Sequence, residues 1–181
     1  HARSPRKRIR TTPMNTFRGF TLIEMLVVIA IIATLAGIGY PVSRSLIEKS
    51  RETACLGNLR SLGVALQSCL QDNNEIMPDM EIGRASKTEN LAVLDTVLLP
   101  YLETSDVFRC PADEILFEKT GSSYNWNSFQ SRRHVSNLYF FGVREDTIPL
   151  ISDKEAWHPS GTNFLYADFR STSKPRFVTG N

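Results

Sequence analysis

A single glutamate near the start of a long apolar run carries the group most able to do chemistry in this chain. Residues 20–40 are about as long and apolar as a helix must be to cross a hydrocarbon core of about 30 Å. Glu24 lies about one helical turn inside this run. A lone carboxylate at that depth costs roughly 2.5–3.5 kcal/mol on insertion scales, so we expect Glu24 to have a partner or a function.

Acidic and imidazole side chains near the carboxyl end form a second group. A loop at residues 159–162 separates His158 from the expected strand that carries Asp168, and the two side chains could face each other across a turn. Asp153 and Glu155 supply further oxygen ligands nearby. We favour a structural role for His158, in which it holds the final loop by a hydrogen bond, over catalysis or metal binding.

The three cysteines are the remaining reactive groups. Cys55 and Cys69 are fourteen positions apart on one predicted helix, which separates them by about 21 Å. A disulfide needs Cα atoms about 4.4–6.8 Å apart, so Cys110 either pairs with one of them or stays free. No paired Cys or His spacing of the zinc-finger type occurs, and the sequence therefore predicts no zinc site.

Motifs of common enzymes are missing from the sequence. There is no Gly-x-Ser-x-Gly elbow, no His-Glu-x-x-His, no phosphate-binding glycine loop and no Gly-x-Gly-x-x-Gly after a strand. We expect the protein not to be an enzyme, and a signal-anchored periplasmic enzyme is the remote alternative.

The charge distribution gives an orientation and excludes a class of partner. Residues 1–19 contain six basic and no acidic residues, so the positive-inside rule places the amino terminus in the cytoplasm and the rest outside. Without them, 15 of the 21 lysines and arginines remain against 19 acids. An acidic chain lacks the basic face that nucleic acid requires, so we expect no nucleic-acid partner.

The segment from Arg18 to Glu24, read Arg-Gly-Phe-Thr-Leu-Ile-Glu and followed by an unbroken apolar run to Pro41, resembles the processing signal of type IV pilins and type II secretion pseudopilins. The resemblance implies that a prepilin peptidase cuts after Gly19 and methylates the new amino terminus at Phe20. It also implies that this amino group pairs with Glu24 of a neighbouring subunit in a filament.

The resemblance divides the chain into three parts. Residues 1–19 are a basic leader that is removed, residues 20–40 are a transmembrane helix and assembly segment, and residues 41–181 form a periplasmic globular domain. Met14 would give a six-residue leader, and residues 1–13 would be either upstream sequence or a longer leader. Under both interpretations they are absent from the mature protein.

A long helix should continue from Pro41 to about residue 73. Pro41 removes a backbone donor, so it predicts a kink or local melting of the helix near residues 37–40. Beyond it, apolar residues recur every three or four positions and predict a stripe that packs on a core of the same chain. The stripe comprises Cys55, Leu59, Leu62, Leu66 and Cys69.

The rest of the chain predicts a small α+β domain. Residues 72–75 read as a helix stop, and residues 89–99 as a second helix capped by Thr88 and ended or bent by Pro100. Aromatic and branched residues between turn formers predict four strands. These strands are residues 123–129, 138–143, 148–152 and 163–169. The fold class is therefore α+β and type IV pilin-like, a long amino-terminal helix on a small antiparallel sheet.

Further motifs resemble the secretion-G-like pseudopilins of planctomycetes and verrucomicrobia. They include Asn-Leu-Arg-Ser-Leu-Gly at residues 58–63, Phe-Arg-Cys-Pro-Ala-Asp at residues 108–113, and a histidine, His158, ten positions before Asp168. Phe169 replaces the glycine that follows this aspartate in the family, so the last turn could differ. The resemblance favours a Cys55–Cys110 disulfide, with Cys69–Cys110 or no bridge as alternatives.

The same family resemblance raises calcium as a weaker alternative to having no cofactor. Pseudopilins of the major type hold calcium in a carboxy-terminal loop, and Asp153, Glu155 and Asp168 offer the oxygen ligands that a hard cation prefers. No loop of this chain matches a defined calcium motif.

The expected function is that of a structural subunit of a periplasmic pseudopilus in a type II secretion-like system. The alternative is a type IV pilus subunit in adhesion, motility or DNA uptake. Expected partners are the prepilin peptidase, other pilin-like subunits, the inner membrane, and an assembly platform with its secretion ATPase. Aromatic residues between 124 and 157 should fill the core, whereas their exposure as one patch would favour adhesion or cargo contact.

Overall fold

A computed structural model describes residues 19–176, except for the side chains of residues 39 and 41. The predicted leader up to residue 18 lies outside the described residues. The chain divides into two compact units, residues 1–42 and 43–181.

The first unit contains the amino-terminal part of a long helix, α1, which spans Leu22–Asp72. Its apolar side chains in this unit are exposed, from Leu22 to Leu35 and Ile38. By length and composition, α1 is the one described helix apolar enough to cross a membrane, a test that a signal sequence near the amino terminus also passes. The helix continues without a break through residues 37–41, so of the two alternatives the structure shows no local melting, and a kink at Pro41 stays a prediction.

The second unit buries the predicted stripe of α1. Cys55, Leu59, Leu62 and Leu66 have no exposed surface, and Cys69 has 5%. Their spacing matches the 3.6-residue helical period, so they lie on one face and pack on the core of their own unit. The prediction of an intramolecular core is confirmed.

The helix ends where the sequence predicts. Asn74 and Glu75 adopt positive φ angles of 54° and 59°, and the backbone N–H of Glu75 donates to the carbonyl of Leu70 at 2.8 Å. Residues in the left-handed conformation end a helix because they turn the chain so that its N–H groups donate to the last helical carbonyls.

The sheet has four antiparallel strands in sequential order, β1 (Tyr124–Trp126), β2 (Pro149–Asp153), β3 (Phe164–Tyr166) and β4 (Ser171–Thr172). Trp126 pairs with Ile151, which in turn pairs with Leu165. All three are buried in the same core as the stripe of α1. The fold is therefore α+β and type IV pilin-like.

A glycine sets the contact of α1 with the sheet. A methyl group placed on Gly63 would lie 3.2 Å from Cδ1 of Leu165, which is tighter than ordinary van der Waals contact. The close approach of α1 to β3 therefore depends on glycine having no side chain at position 63.

The second predicted helix is mostly wrong. Helix α2 spans only Leu94–Leu98, with Val93 rather than Thr88 at its amino-terminal cap. The backbone before it is held by tertiary contacts instead, because Glu81 N–H donates to the Ala92 carbonyl at 2.8 Å. A tertiary hydrogen bond of this kind overrides helix propensity.

The second predicted strand, at residues 138–143, is also wrong. Phe141 and Gly142 have φ angles of 43° and 73°, which are incompatible with extended backbone. The segment forms turns. Of the other three predicted strands, β1 and β3 are shorter than predicted and β2 is shifted by one residue, and β4 was not predicted. Helix α3 spans Leu116–Thr120. Five 3₁₀ segments complete the described structure, at Leu99–Tyr101, Ser105–Phe108, Ser128–Gln130, Val135–Asn137 and Glu145–Thr147.

Candidate functional sites

The amino-terminal segment presents the predicted processing site in an open conformation. Gly19 and Phe20 are exposed and precede the first residue of α1. A peptidase therefore needs no unfolding of described structure to reach the peptide bond between them.

Glu24 has a partner on its own helix. Its Oε2 atom accepts hydrogen bonds from the backbone N–H of Thr21 at 2.8 Å and from Thr21 Oγ1 at 2.7 Å. Thr21 Oγ1 in turn lies 3.3 Å from the backbone N–H of Glu24 and accepts from it. This reciprocal arrangement is a capping box. Sequence reasoning missed it, although Thr-x-x-Glu before an apolar run is its signature.

The disulfide favoured by the family resemblance is present. Cys55 on α1 is bonded to Cys110, with Cα atoms 5.0 Å apart and 55 positions between the residues. Both cysteines are fully buried, and Cys69 remains a buried free thiol. The bridge joins α1 to the segment between the 3₁₀ helix Ser105–Phe108 and α3.

His158 lies against this disulfide and not in the last turn of the chain. Its Nε2 atom is 3.3 Å from Cys110 Sγ and 3.8 Å from Asp153 Oδ2. The predicted role as a hydrogen-bonding residue of the final loop is supported in part, because its carbonyl accepts from Gly161 N–H at 2.8 Å. Its ring, however, faces the core, which the sequence did not indicate.

Two buried acids near His158 have pKa values that are shifted in opposite directions. Burial raises the pKa of Asp153 to about 7 and lowers the pKa of His158. The hydroxyl of Ser160, which donates to Glu52 at 2.5 Å, holds the pKa of Glu52 below its usual range. Glu52 is thus a buried carboxylate on α1, and no sequence signal pointed to it.

The three calcium candidates lie in different surroundings. Asp153 is buried and accepts from the backbone of Asn163 at 2.9 Å. Asp168 forms an ion pair with Arg176 at 2.8 Å, and Glu155 is exposed. Among the described residues, the one group of three or more His, Cys, Asp or Glu ligand atoms close together includes none of these carboxylates. Calcium stays a weaker proposal.

Phe169, at the position of the family's glycine, has a backbone conformation that favours glycine. Its φ angle is 58°, in the left-handed region, and its N–H donates to the Tyr166 carbonyl at 2.8 Å. The bulky side chain packs against the core. Core contact therefore offsets a strained backbone at this turn.

Three phenylalanine rings form an aromatic cluster, defined as Phe129, Phe140 and Phe141. Their ring centroids lie 5.0–6.1 Å apart in edge-to-face arrangements. Phe129 and Phe141 are 63% and 70% exposed. Trp126 and Tyr124 are buried as predicted, but these two phenylalanines and also Tyr139 are exposed. The prediction that the aromatic residues fill the core is therefore confirmed only in part.

Comparison with known proteins places the amino terminus in a family. Residues 14–40 match the model of the prokaryotic N-terminal methylation motif. The chain is 44% identical over 57 residues to Fimbrial protein Q of Moraxella bovis, covering 32% of this chain and 36% of that protein. It is 33% identical over 87 residues to the type IV major alpha-pilin of the same organism, covering 48% and 55% of the two chains.

A third relative is the type IV major fimbrial protein FimA of Dichelobacter nodosus, 36% identical over 58 residues, with 32% of this chain and 37% of that protein covered. The chain thus spans between about a third and just over half of the length of these relatives. No solved structure matches it. The methylation motif, the apolar helix that follows it and the pilin relatives agree with one another, and the chain is a type IV pilin-like protein with a prepilin-type amino-terminal signal.

Proposed function

We propose that the protein is a filament subunit, made as a precursor, cut after Gly19 by a prepilin peptidase and methylated at Phe20. The observation that carries this proposal is the methylation motif at residues 14–40, which continues directly into an exposed apolar helix. An exposed helix of this kind needs a membrane before assembly and neighbouring helices after it.

Assembly uses the charge of Glu24. In a filament the apolar side chains of residues 20–40 pack against the same segment of other subunits, and the amino group of Phe20 from one subunit meets Glu24 of the next. Removing one partner of a buried ion pair costs about 3–5 kcal/mol, because the other charge is left in a low dielectric. The pair therefore fixes the register of neighbouring subunits.

The location follows from the same segment. The subunit is held in the inner membrane by one helix, with its amino terminus in the cytoplasm and residues 41–181 in the periplasm. The basic residues before the span support this orientation through the positive-inside rule, and a periplasmic location supports formation of the Cys55–Cys110 bridge.

The machine is a type II secretion-like system, in which a short pseudopilus pushes substrates outward with the help of an assembly platform and a secretion ATPase. Motifs in residues 58–63 and 108–113 and the spacing of His158 and Asp168 support this choice. A type IV pilus is the second candidate. Two observations favour it, the pilin relatives and the exposed aromatic cluster, which suits contact with a surface or another protein.

The test is mass spectrometry of the amino terminus after co-expression with a prepilin peptidase. The expected product begins at N-methylated Phe20, and the Gly19→Ala variant should remain uncut. Gly37→Ala is a matched control, because its added methyl group also meets no neighbouring atom. A wild-type chain that stays uncut, or is cut after Tyr40, would overturn the proposal.

A second experiment separates the two machines. Co-expression with the components of a secretion system and of a pilus system, in separate hosts lacking their own major subunit, should give filaments in the secretion host. Filaments only in the pilus host would favour the alternative. Replacing Phe129 and Phe141 by serine should reduce surface attachment without reducing filament number if the subunit is adhesive.

A further inference from the structure

The disulfide and His158 form a buried cluster with the composition of a metal site. One ligand atom from each of Cys55, Cys110 and His158 lies within 4.8 Å of the other two, and all three residues are buried. Cys55 comes from α1, Cys110 from the segment before α3, and His158 from the loop between β2 and β3. Tertiary folding alone brings them together.

Asp153 lies beside His158 and is the candidate fourth ligand, although it is not among the three residues whose ligand atoms all lie within 4.8 Å of one another. Asp153 Oδ2 is 3.8 Å from His158 Nε2, and the side chains of both residues are at most 1% exposed. The other carboxylate oxygen, Asp153 Oδ1, is buried and has no hydrogen-bond partner among the described residues. A buried acceptor without a partner is costly, and a metal ion is one group that would satisfy it.

We propose that, when the Cys55–Cys110 bridge is reduced, the two sulfur atoms, His158 Nε2 and the carboxylate of Asp153 bind one zinc ion. Zinc binds thiolate, imidazole and carboxylate at about 2.3, 2.0 and 2.0–2.2 Å in a tetrahedron, so its ligand atoms lie about 3.3–3.8 Å apart. The distance from His158 Nε2 to Cys110 Sγ is 3.3 Å, close to the separation of about 3.5 Å expected for such a pair, whereas Asp153 Oδ2, at 3.8 Å, must approach by about 0.5 Å.

The remaining adjustment is small. The two sulfur atoms must separate from bonding distance to about 3.8 Å, while their Cα atoms are already 5.0 Å apart. Because the Cα atoms are this close, rotation of the two cysteine side chains is the movement that the proposal requires. Thiolate ligands favour zinc over calcium or magnesium, which prefer oxygen, and this distinguishes the cluster from the calcium candidates.

The chemistry balances in two steps. A dithiol reductant gives two electrons and two protons to the bridge, becomes a disulfide itself, and leaves two cysteine thiols. Zinc then replaces the two thiol protons, which are released to solvent as the sulfur–zinc bonds form. Oxidation of the thiolates by a disulfide-forming oxidant removes two electrons and expels the ion.

Bridge and ion are therefore alternatives that hold the same three segments together. A chain whose cysteines are still reduced would be folded around zinc, and oxidation would replace the ion with the covalent bond. The inference is independent of which filament the subunit enters.

The test uses the full chain in detergent, reduced with a phosphine, since dithiols bind metals themselves. Cobalt(II) is the probe because its thiolate and tetrahedral complexes absorb light. The expected result is a thiolate-to-cobalt charge-transfer band and visible bands of tetrahedral geometry that saturate at one ion per chain and disappear when zinc is added. The oxidised chain should show none. A reduced, folded chain without the charge-transfer band would overturn the proposal.

Variants locate the site. Cys110→Ser leaves one thiolate ligand and should at least halve the charge-transfer intensity per bound cobalt, and His158→Gln should weaken cobalt affinity at least tenfold. The matched control is Cys69→Ser, which removes a buried thiol outside the cluster and should leave affinity unchanged. Loss of the band in Cys69→Ser, or wild-type affinity in His158→Gln, would contradict the assignment.

X-ray absorption of the zinc-loaded wild-type chain needs no variant and so is independent of variant folding. Two sulfur ligands together with imidazole scattering would support the site. A shell of nitrogen and oxygen alone, or of three or more sulfur atoms, would overturn it.

Discussion

Thr21 and Glu24 cap the amino terminus of α1 for each other, through hydrogen bonds of 2.7–3.3 Å that run in both directions. Glu24 therefore has two separable properties. It is an acceptor that satisfies the first turn of the helix, and it carries the charge that the proposed filament requires.

Two variants separate the capping role of Glu24 from its charge. Glu24→Gln keeps a side-chain acceptor and removes the charge, whereas Thr21→Val keeps the charge and removes the hydroxyl. We expect Glu24→Gln to be processed but to form few or no filaments. Thr21→Val should assemble, with a loss of about 1 kcal/mol in helix stability.

Filaments sheared from cells, quantified by immunoblot, measure this difference, with mass spectrometry of the amino terminus as the check on processing. Equal loss of filaments in both variants would show that capping, not charge, is the requirement.

Removing the Cys55–Cys110 bridge should strongly destabilise the second unit. The bridge closes a loop of 55 residues, and the chain-entropy model gives about 4 kcal/mol for a loop of this length. Chemical denaturation of the Cys55→Ala, Cys110→Ala double variant measures the loss, with a chelator present to exclude metal. Cys69→Ala is the matched control and should lose far less. A double variant as stable as this control would contradict the prediction.

Asp113 should contribute strongly to stability, although it lies in a short loop and not in a helix or strand. Its carboxylate accepts from the backbone of Ile115, Leu116 and Phe117 at 2.7–2.9 Å and from the hydroxyl of Ser123 at 2.6 Å. Ser123 Oγ in turn accepts from Cys110 N–H. The network thus ties the start of α3 to the disulfide.

Asp113→Ala should lower the free energy of unfolding by about 2–4 kcal/mol, since it leaves buried donors without an acceptor. The neighbouring exposed residue gives the control, and Glu114→Ala should change stability by less than about 0.5 kcal/mol. Urea denaturation of both variants distinguishes them. Equal effects would show that the network does not stabilise α3.

Glu52 should make stability depend on pH in the acid range. Ser160 and Lys49 hydrogen-bond to its carboxylate at 2.5 and 3.0 Å, and the bond from Ser160 is the main cause of its lowered pKa. Because the folded pKa lies below the unfolded value of about 4.3, this stabilisation is present above that value and is lost as pH falls through the folded pKa. Asp153 and His158 lie near Glu52 and also have shifted pKa values, so they contribute to the pH dependence of the wild type as well.

The measurement is therefore the difference between wild type and Ser160→Ala. We expect the variant to lose about 1.5–3 kcal/mol at pH 7, the usual value for a hydrogen bond to a charged group, and the difference from the wild type to shrink as pH falls through the folded pKa of Glu52. Thr162→Ala, in the same loop, is the control. A difference that does not change with pH would mean that Ser160 acts through packing alone.

Local patterns in the sequence determined the parts of this protein that depend on local physics. The apolar run with Glu24, the basic residues before it and the stripe from Cys55 to Cys69 each follow from composition or from the 3.6-residue period. The helix stop at residues 72–75 follows from turn chemistry. Burial of the stripe and the end of α1 agree with these predictions.

Elements whose backbone is set by distant contacts were predicted poorly. The aromatic run at residues 138–143 has strand propensity, yet Phe141 and Gly142 turn the chain. Residues 89–93 have helix-like spacing, yet the Glu81–Ala92 hydrogen bond precedes a helix that begins only at Leu94. Propensity describes one segment at a time, and here tertiary hydrogen bonds and packing outweigh it.

The tertiary structure alone decided the cluster around the disulfide. His158 is 48 positions from Cys110, and Ser160 is 108 positions from its partner Glu52, so no spacing rule could have joined them. Only the packing of α1 against the sheet and its loops brings these groups into contact. The sequence by itself therefore contains the prepilin-type signal and the apolar helix that follows it, because that signal is short and contiguous, whereas the buried cluster around the disulfide exists only after folding.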